Sequence, residues 1–201
     1  MSRHIRQAIA FTLVSMVLVG LYHVVLWGFA SVVFPSQAEG SLIRRADGTV
    51  IGSRLIAQKF ERPEYFRPRP SAADYNAAST SGSNYGPSNS DHLKAVRERI
   101  DAIVKEDGAQ ASQIPSEMVT ASGAGMDPHV PPAAADLQAD RVAASRKVDA
   151  GRVRALIAAH TETPTLGFLG RPRVNVLELN LALDQAFGTP VAAQEKNANA
   201  R

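Results

Sequence analysis

Ser122, Asp127 and His129 lie within eight residues in the run Thr120-Ala121-Ser122-Gly123-Ala124-Gly125-Met126-Asp127-Pro128-His129. A serine, a carboxylate and a histidine are the parts of an acyl-transfer hydrolase. A nucleophile elbow needs Gly-x-Ser-x-Gly, however, and Thr120 stands two residues before Ser122. Triad members also meet through the fold, each held by a partner, rather than along one loop. The run therefore reads as a glycine-rich turn whose polar groups bond to its own backbone, and no catalytic residue is assigned. A membrane-anchored extracytoplasmic hydrolase using Ser122 and His129, or an envelope-interaction module, stays as the alternative.

The Gly/Ser-rich stretch from Ser79 to Ser90 is the natural place for a phosphate cradle, but it lacks the lysine that a P-loop requires and reads as a structural loop. The five histidines, at positions 4, 23, 92, 129 and 160, include no pair at metal-ligand spacing, so no metal site is expected. With no cysteine, disulfide scaffolds, thiol enzymes and cysteine-ligated metal centres are excluded.

The formal charge of +3 invites a nucleic-acid reading. Removing Arg3 and Arg6 from the 22 Lys and Arg leaves 20 against 19 acidic residues, a net of +1 over the rest of the chain. A phosphate-binding surface needs a clustered basic excess, so no nucleic-acid partner is expected. Basic residues gather at Arg54, Lys59, Arg62, Arg67 and Arg69, where anionic headgroups would attract them, and at Arg141, Arg146, Lys147, Arg152 and Arg154, read as a solvated helix face.

The elements that must position these residues begin in a membrane. No charged residue occurs from Gln7 to Ala38, and the 26 residues Ala8 to Val33 reach roughly 39 Å as a helix, enough to cross a ~30 Å hydrocarbon core. An apolar run of about 7–15 residues would suit a cleaved signal peptide; this one reads as a retained anchor. Arg3 and Arg6 precede the run and Glu39 is the first charge after it, which places the N-terminus in the cytoplasm. His23 reads as an imidazole bonded to a backbone carbonyl or as a polar contact to a partner helix. The expected organisation is a cytoplasmic stretch over 1–6, a transmembrane helix over 7–34, an extracytoplasmic α+β domain over 35–188 and a flexible tail over 189–201.

Within that domain, Ser41 to Arg45 and Thr49 to Ile56 flank an Asp47-Gly48 turn and predict a β-hairpin. Pro63, Pro68 and Pro70 forbid a helix over Phe60 to Ser71 and predict an extended segment. Asn89 or Ser90 caps a helix through Asp107, stopped by Gly108, with Leu93, Val96, Ile100, Ile103 and Val104 on one stripe. Pro132 to Val148 and Gly151 to Thr161 predict a helical hairpin, and a second β-hairpin is expected around Leu166 to Val176. Leu177, Leu179, Leu181 and Leu183 alternate like a strand, while Asn175 with Glu178 imitates a capping box; a short strand and then a helix to Phe187 is the expectation.

Several stretches together resemble the KdpC family, the C subunits of the Kdp potassium-transporting P-type ATPase. They are Phe34 to Leu42, Tyr65 to Ala72, Ser81 to Pro87, Val119 to His129, Gln138 with Arg141-Val142-Ala143, and Gly170 to Leu177. Ala57, Ala124 and Met126 depart from the family's usual residues without changing a charge. The resemblance implies a non-catalytic accessory subunit in the bacterial inner membrane. Its partners would be a potassium-conducting pore subunit, a P-type ATP-hydrolysing subunit and a small fourth subunit. It further implies a role in assembly and as a catalytic chaperone that raises the ATP affinity of the hydrolytic subunit. The chain would have no cofactor of its own and meet ATP only in the complex, with Ser122, Gly123, Gly125 and Gln138 as family-level candidates for nucleotide contact. An exported domain sits awkwardly with cytoplasmic ATP, which favours assembly over direct nucleotide binding.

Overall fold

The computed structural model describes residues 2–45 and 47–190. The chain divides after Ser53 into two compact units. Most of the tail expected over 189–201 lies outside the described residues.

The first unit opens with α1 (Arg3–Val33), 31 residues long and thus about 46 Å, long and apolar enough to cross a membrane. It ends one residue before Phe34 because Pro35 disfavours helical geometry in its predecessor, which sits at φ −131° and ψ 57°. His23 Nδ1 lies 2.7 Å from the Val19 carbonyl oxygen, so the imidazole is satisfied within its own helix. After the single turn α2 (Pro35–Ala38), strands β1 (Leu42–Arg44) and β2 (Val50–Ser53) pair antiparallel in the expected hairpin. Its turn is closed by Gly48 at φ +84° and by Asp47, whose Oδ1 accepts from the Thr49 N–H at 2.9 Å.

The second unit holds α3 (Ser90–Asp107), α4 (Ser116–Val119), β3 (His129–Val130), α5 (Pro132–Arg146), α6 (Ala150–Ala159), β4 (Thr161–Glu162), β5 (Arg173–Asn175) and α7 (Val176–Phe187). Three short strands form one antiparallel sheet in the order β3-β5-β4. Asn89 caps α3 by accepting from the Asp91 and His92 N–H groups, and Gly108 stops it at φ +68°. Helices α5 and α6 form the predicted hairpin. The buried stripe of α5 is Ala134, Ala135, Gln138, Ala139, Val142 and Ala143, small enough for its neighbours to approach closely. Phe66, Met118, Val130, Val153, Ile157, Val174, Val176, Leu179 and Leu183 complete the core.

One expectation is corrected: residues 177–183 contain no strand. β5 passes directly into α7, where Asn175 Oδ1 accepts from the Leu177 and Glu178 N–H groups at 3.1 and 3.2 Å. Helical spacing buries Val176, Leu179, Asn180 and Leu183 on one face, so the leucine alternation is subordinate to a period of 3.6.

Candidate functional site

The proline-bearing segment 60–71 contains no helix and belongs to no sheet; it is not extended throughout, because a turn over residues 62–65 is closed by the Tyr65 N–H donating to the Arg62 carbonyl (3.2 Å). Its backbone polar groups must still be paired. Two side-chain amides do what a neighbouring strand would do. The Phe66 N–H donates to Asn180 Oδ1 (2.8 Å) while Asn180 Nδ2 donates to the Phe66 carbonyl (2.9 Å). The Arg67 N–H donates to Gln138 Oε1 (2.8 Å) while Gln138 Nε2 donates to the Arg67 carbonyl (3.2 Å). Successive residues of an extended chain present their amides to opposite sides, so Phe66 meets α7 and Arg67 meets α5. The segment is a strap gripped from both flanks.

Two buried arginines extend the grip. Arg141 donates to the Pro63 and Tyr65 carbonyls (2.6 and 3.1 Å) and to Gln138 Oε1 (2.8 Å), and pairs with Asp107 at 2.6 Å. Its side chain is 7% exposed and that of Asp107 5%. Arg146 donates to the Glu64 carbonyl (2.7 Å), pairs with Asp184 (2.7 Å) and lies 4.8 Å from the Tyr65 ring centroid. Tyr65 donates to Asp184 at 3.0 Å; burial, reinforced by that carboxylate, pushes its phenol up to about 12. The solvated-face reading therefore fails for Arg141 and Arg146, whose guanidinium groups are held by Asp107, Asp184 and the strap carbonyls. The spacing carried a signal for Arg146: it follows Val142 by four and Ala143 by three, the buried side of α5.

The other basic cluster is also spoken for. Arg54 pairs with Glu178, Lys59 with Glu61 and Asp74, Arg62 with Glu64, Arg67 with Glu106 and Arg69 with Asp127. Each of these residues is thus paired with a carboxylate of the chain itself.

The loop residues singled out from sequence pack on the end of the strap. Ser122 is buried; its N–H donates to the Pro70 carbonyl (3.1 Å) and its carbonyl accepts from Gly125 (3.2 Å). Gly125 sits at φ +70°, and a Cβ there would meet Ser71 Oγ at 2.8 Å and the Ser81 carbonyl at 3.0 Å. A Cβ on Gly82 would lie 2.6 Å from the Gly123 carbonyl oxygen. The loops near Ser71, Ser81 and Ser122 thus pack backbone against backbone, leaving no cradle at Gly125 for a phosphate. No hydrogen bond joins Ser122 to His129 among the described residues. His129 instead faces Asp127: its N–H donates to Asp127 Oδ1 (3.0 Å) and Nδ1 lies 3.5 Å from the same oxygen. Burial alone would raise the Asp127 carboxyl, but the hydrogen bonds from His129 and the nearby Arg69 guanidinium outweigh it and hold the pKa below the usual value.

The strap, the Gly/Ser loop, the Ser122 loop, α5 and the β5–α7 junction are thus one structural assembly, built from the stretches that carried the resemblance. A profile of the family described as K+-transporting ATPase, c chain, matches residues 5–185. The chain belongs to the KdpC family. It is 53% identical to the potassium-transporting ATPase KdpC subunit of Geobacter sulfurreducens, over 82% of this chain and 88% of that one. The KdpC subunit of Beijerinckia indica is 50% identical over 93% and 96% of the two chains, and that of Gemmatimonas aurantiaca 47% over 94% and 96%. KdpC membership makes the chain a subunit of a potassium-transporting ATPase, with one apolar helix suited to a single membrane pass.

Proposed function

We propose that the chain is a non-catalytic assembly subunit of the bacterial inner membrane, with its N-terminus cytoplasmic and its α+β domain outside. Its partners are the potassium-conducting pore subunit, the P-type subunit that hydrolyses ATP and a small fourth subunit. It raises the ATP affinity of the hydrolytic subunit indirectly, through the contacts that hold the complex together. The observation that carries the indirect reading is the commitment of Gln138. Both its oxygen and its nitrogen are engaged, by Arg67, Arg141 and Ala134, at 1% exposure. A nucleotide would have to displace the strap to reach it.

Two measurements test this. A reporter fused after Arg201 should be active only outside the cytoplasm; activity inside overturns the orientation. Removing the chain from the complex should raise the ATP concentration needed for half-maximal hydrolysis, with no labelling of the chain by a photoreactive ATP analogue in the intact complex. Specific labelling competed by ATP would replace the indirect reading with direct binding.

A further inference from the structure

The strap and α3 leave a cavity of about 410 Å³ between them, within the size range of small-ligand sites. Phe60, Pro68, Pro70, Ile103 and Met118 line it with rings, aliphatic carbon and a thioether. Tyr75 supplies a further wall. Asp74 (φ +47°) and Tyr75 (φ +59°) take successive left-handed conformations, which are costly for a bulky residue. Ser71 Oγ holds the turn by accepting from the Ala73 and Tyr75 N–H groups (3.1 and 3.0 Å), and the Tyr75 hydroxyl donates to the Arg69 carbonyl (2.8 Å). Backbone strain held in this way collects at ligand sites, and here it sets a tyrosine into the cavity wall.

The charges around the cavity say what would enter it. Lys59 is paired with Glu61 (3.3 Å) and Asp74 (2.9 Å), and Arg67 with Glu106. Arg99, also on the lining, is half-buried and has no carboxylate within salt-bridge distance among the described residues. Its Nη1 donates to the Val119 carbonyl at 2.8 Å, which leaves the Nε–Nη2 edge without a protein acceptor. The positions three and four away on α3 are Ala95, Val96, Ala102 and Ile103, so its own helix supplies no counter-ion. The side chains of Glu61 and Asp74 are 75% and 76% exposed, and solvent screens their charges. A free guanidinium edge presents two N–H donors in the fork that matches a planar carboxylate, and the ring and sulfur surface around it matches an aromatic body. A nucleotide polyphosphate is a poor match, because it brings several negative charges to one unpaired cation.

We propose that the cavity between α3 and the strap is a binding site for an aromatic monocarboxylate, with Arg99 taking the carboxylate and Phe60, Tyr75 and Met118 the ring. The site goes beyond the assembly role and stands or falls separately from it.

The probe is 2-naphthoate, titrated by calorimetry into the full chain in detergent with the signal of empty micelles subtracted. Saturable binding with a Kd below about 1 mM is expected. Arg99→Gln should weaken it by roughly tenfold or more, the loss of a charge-assisted pair. The neutral naphthalene-2-carboxamide should bind the unaltered chain as weakly as naphthoate binds that variant. Ala102 is exposed on α3 and lines the cavity, so Ala102→Trp should block the site with Arg99 intact and the melting temperature kept. This second variant decides the matter if Arg99→Gln, which frees the Val119 carbonyl, fails to fold. Absence of saturable binding, or equal binding by the parent and Ala102→Trp, overturns the site. Displacement of the probe by ATP overturns the carboxylate reading in favour of a nucleotide. Binding by the isolated chain that disappears in the purified complex overturns the small-molecule reading in favour of a partner segment, and leaves the assembly role standing.

Discussion

Replacing Gln138 by leucine isolates the clamp from packing, because leucine fills the volume but makes no hydrogen bond. The Arg67 N–H loses a 2.8 Å acceptor and the Arg67 carbonyl a 3.2 Å donor. Each polar group left unsatisfied away from water costs about 1–3 kcal/mol, so the two predict a loss of about 2–6 kcal/mol. That is a large part of the ~5–15 kcal/mol by which domains are stable. For a chain of this size it corresponds to a fall in melting temperature on the order of 10 °C. Far-UV circular dichroism of the full chain in detergent measures it, since α1 remains helical in the micelle while the second unit melts. A melting temperature within about 2 °C of the parent, combined with weaker ATP dependence of the assembled complex, would refute the clamp and make Gln138 a nucleotide contact.

Arg141→Met strands the buried Asp107 and should destabilise the chain by about 3–5 kcal/mol in chemical denaturation; adding Asp107→Leu should recover much of that, as in a double-mutant cycle. Gly125→Ala forces a Cβ into the left-handed region and against Ser71, and should lower the melting temperature by an amount equivalent to about 1–3 kcal/mol. The folded pKa of Asp127 lies below its ordinary value, so the unfolded chain takes up the proton first; its contribution is present above pH ~4 and lost as pH falls through the folded pKa. Asp127→Asn should therefore flatten the acid limb of a melting temperature–pH profile, with the remaining slope supplied partly by Glu64, held down chiefly by Arg62. Ser122→Ala should leave ATP hydrolysis by the complex unchanged, because Ser122 enters the fold through its backbone.

Elements whose signals are local were legible in the sequence. Asn89 and Gly108 bracket α3 at the expected residues, the Asp47-Gly48 turn closes its hairpin, and the apolar run forms α1. What escaped is the set of contacts that no window of sequence contains. A charged residue on a helix reads as solvent-facing by default, so Arg141 and Arg146 were assigned outward although their targets, the strap carbonyls, lie 76 and 82 residues away. A glutamine in an alanine stripe gives no hint of its partner. That the strap is not helical was predictable from Pro63, Pro68 and Pro70; that side chains rather than a strand would satisfy it was not. The exposed Leu166 and Phe168 were visible only as part of a presumed hairpin, because exposure is a property of the folded chain.

The clamp also orders the life history of the molecule. Phe66 waits for Asn180, 114 residues later, and Tyr65 for Asp184, 119 residues later. A chain growing from its N-terminus has the strap long before it has either grip, and pairings so distant in sequence form late and slowly. The second unit therefore closes only when α7 arrives, and any product ending before Asn180 carries an unpaired, proline-stiffened segment that proteases can find.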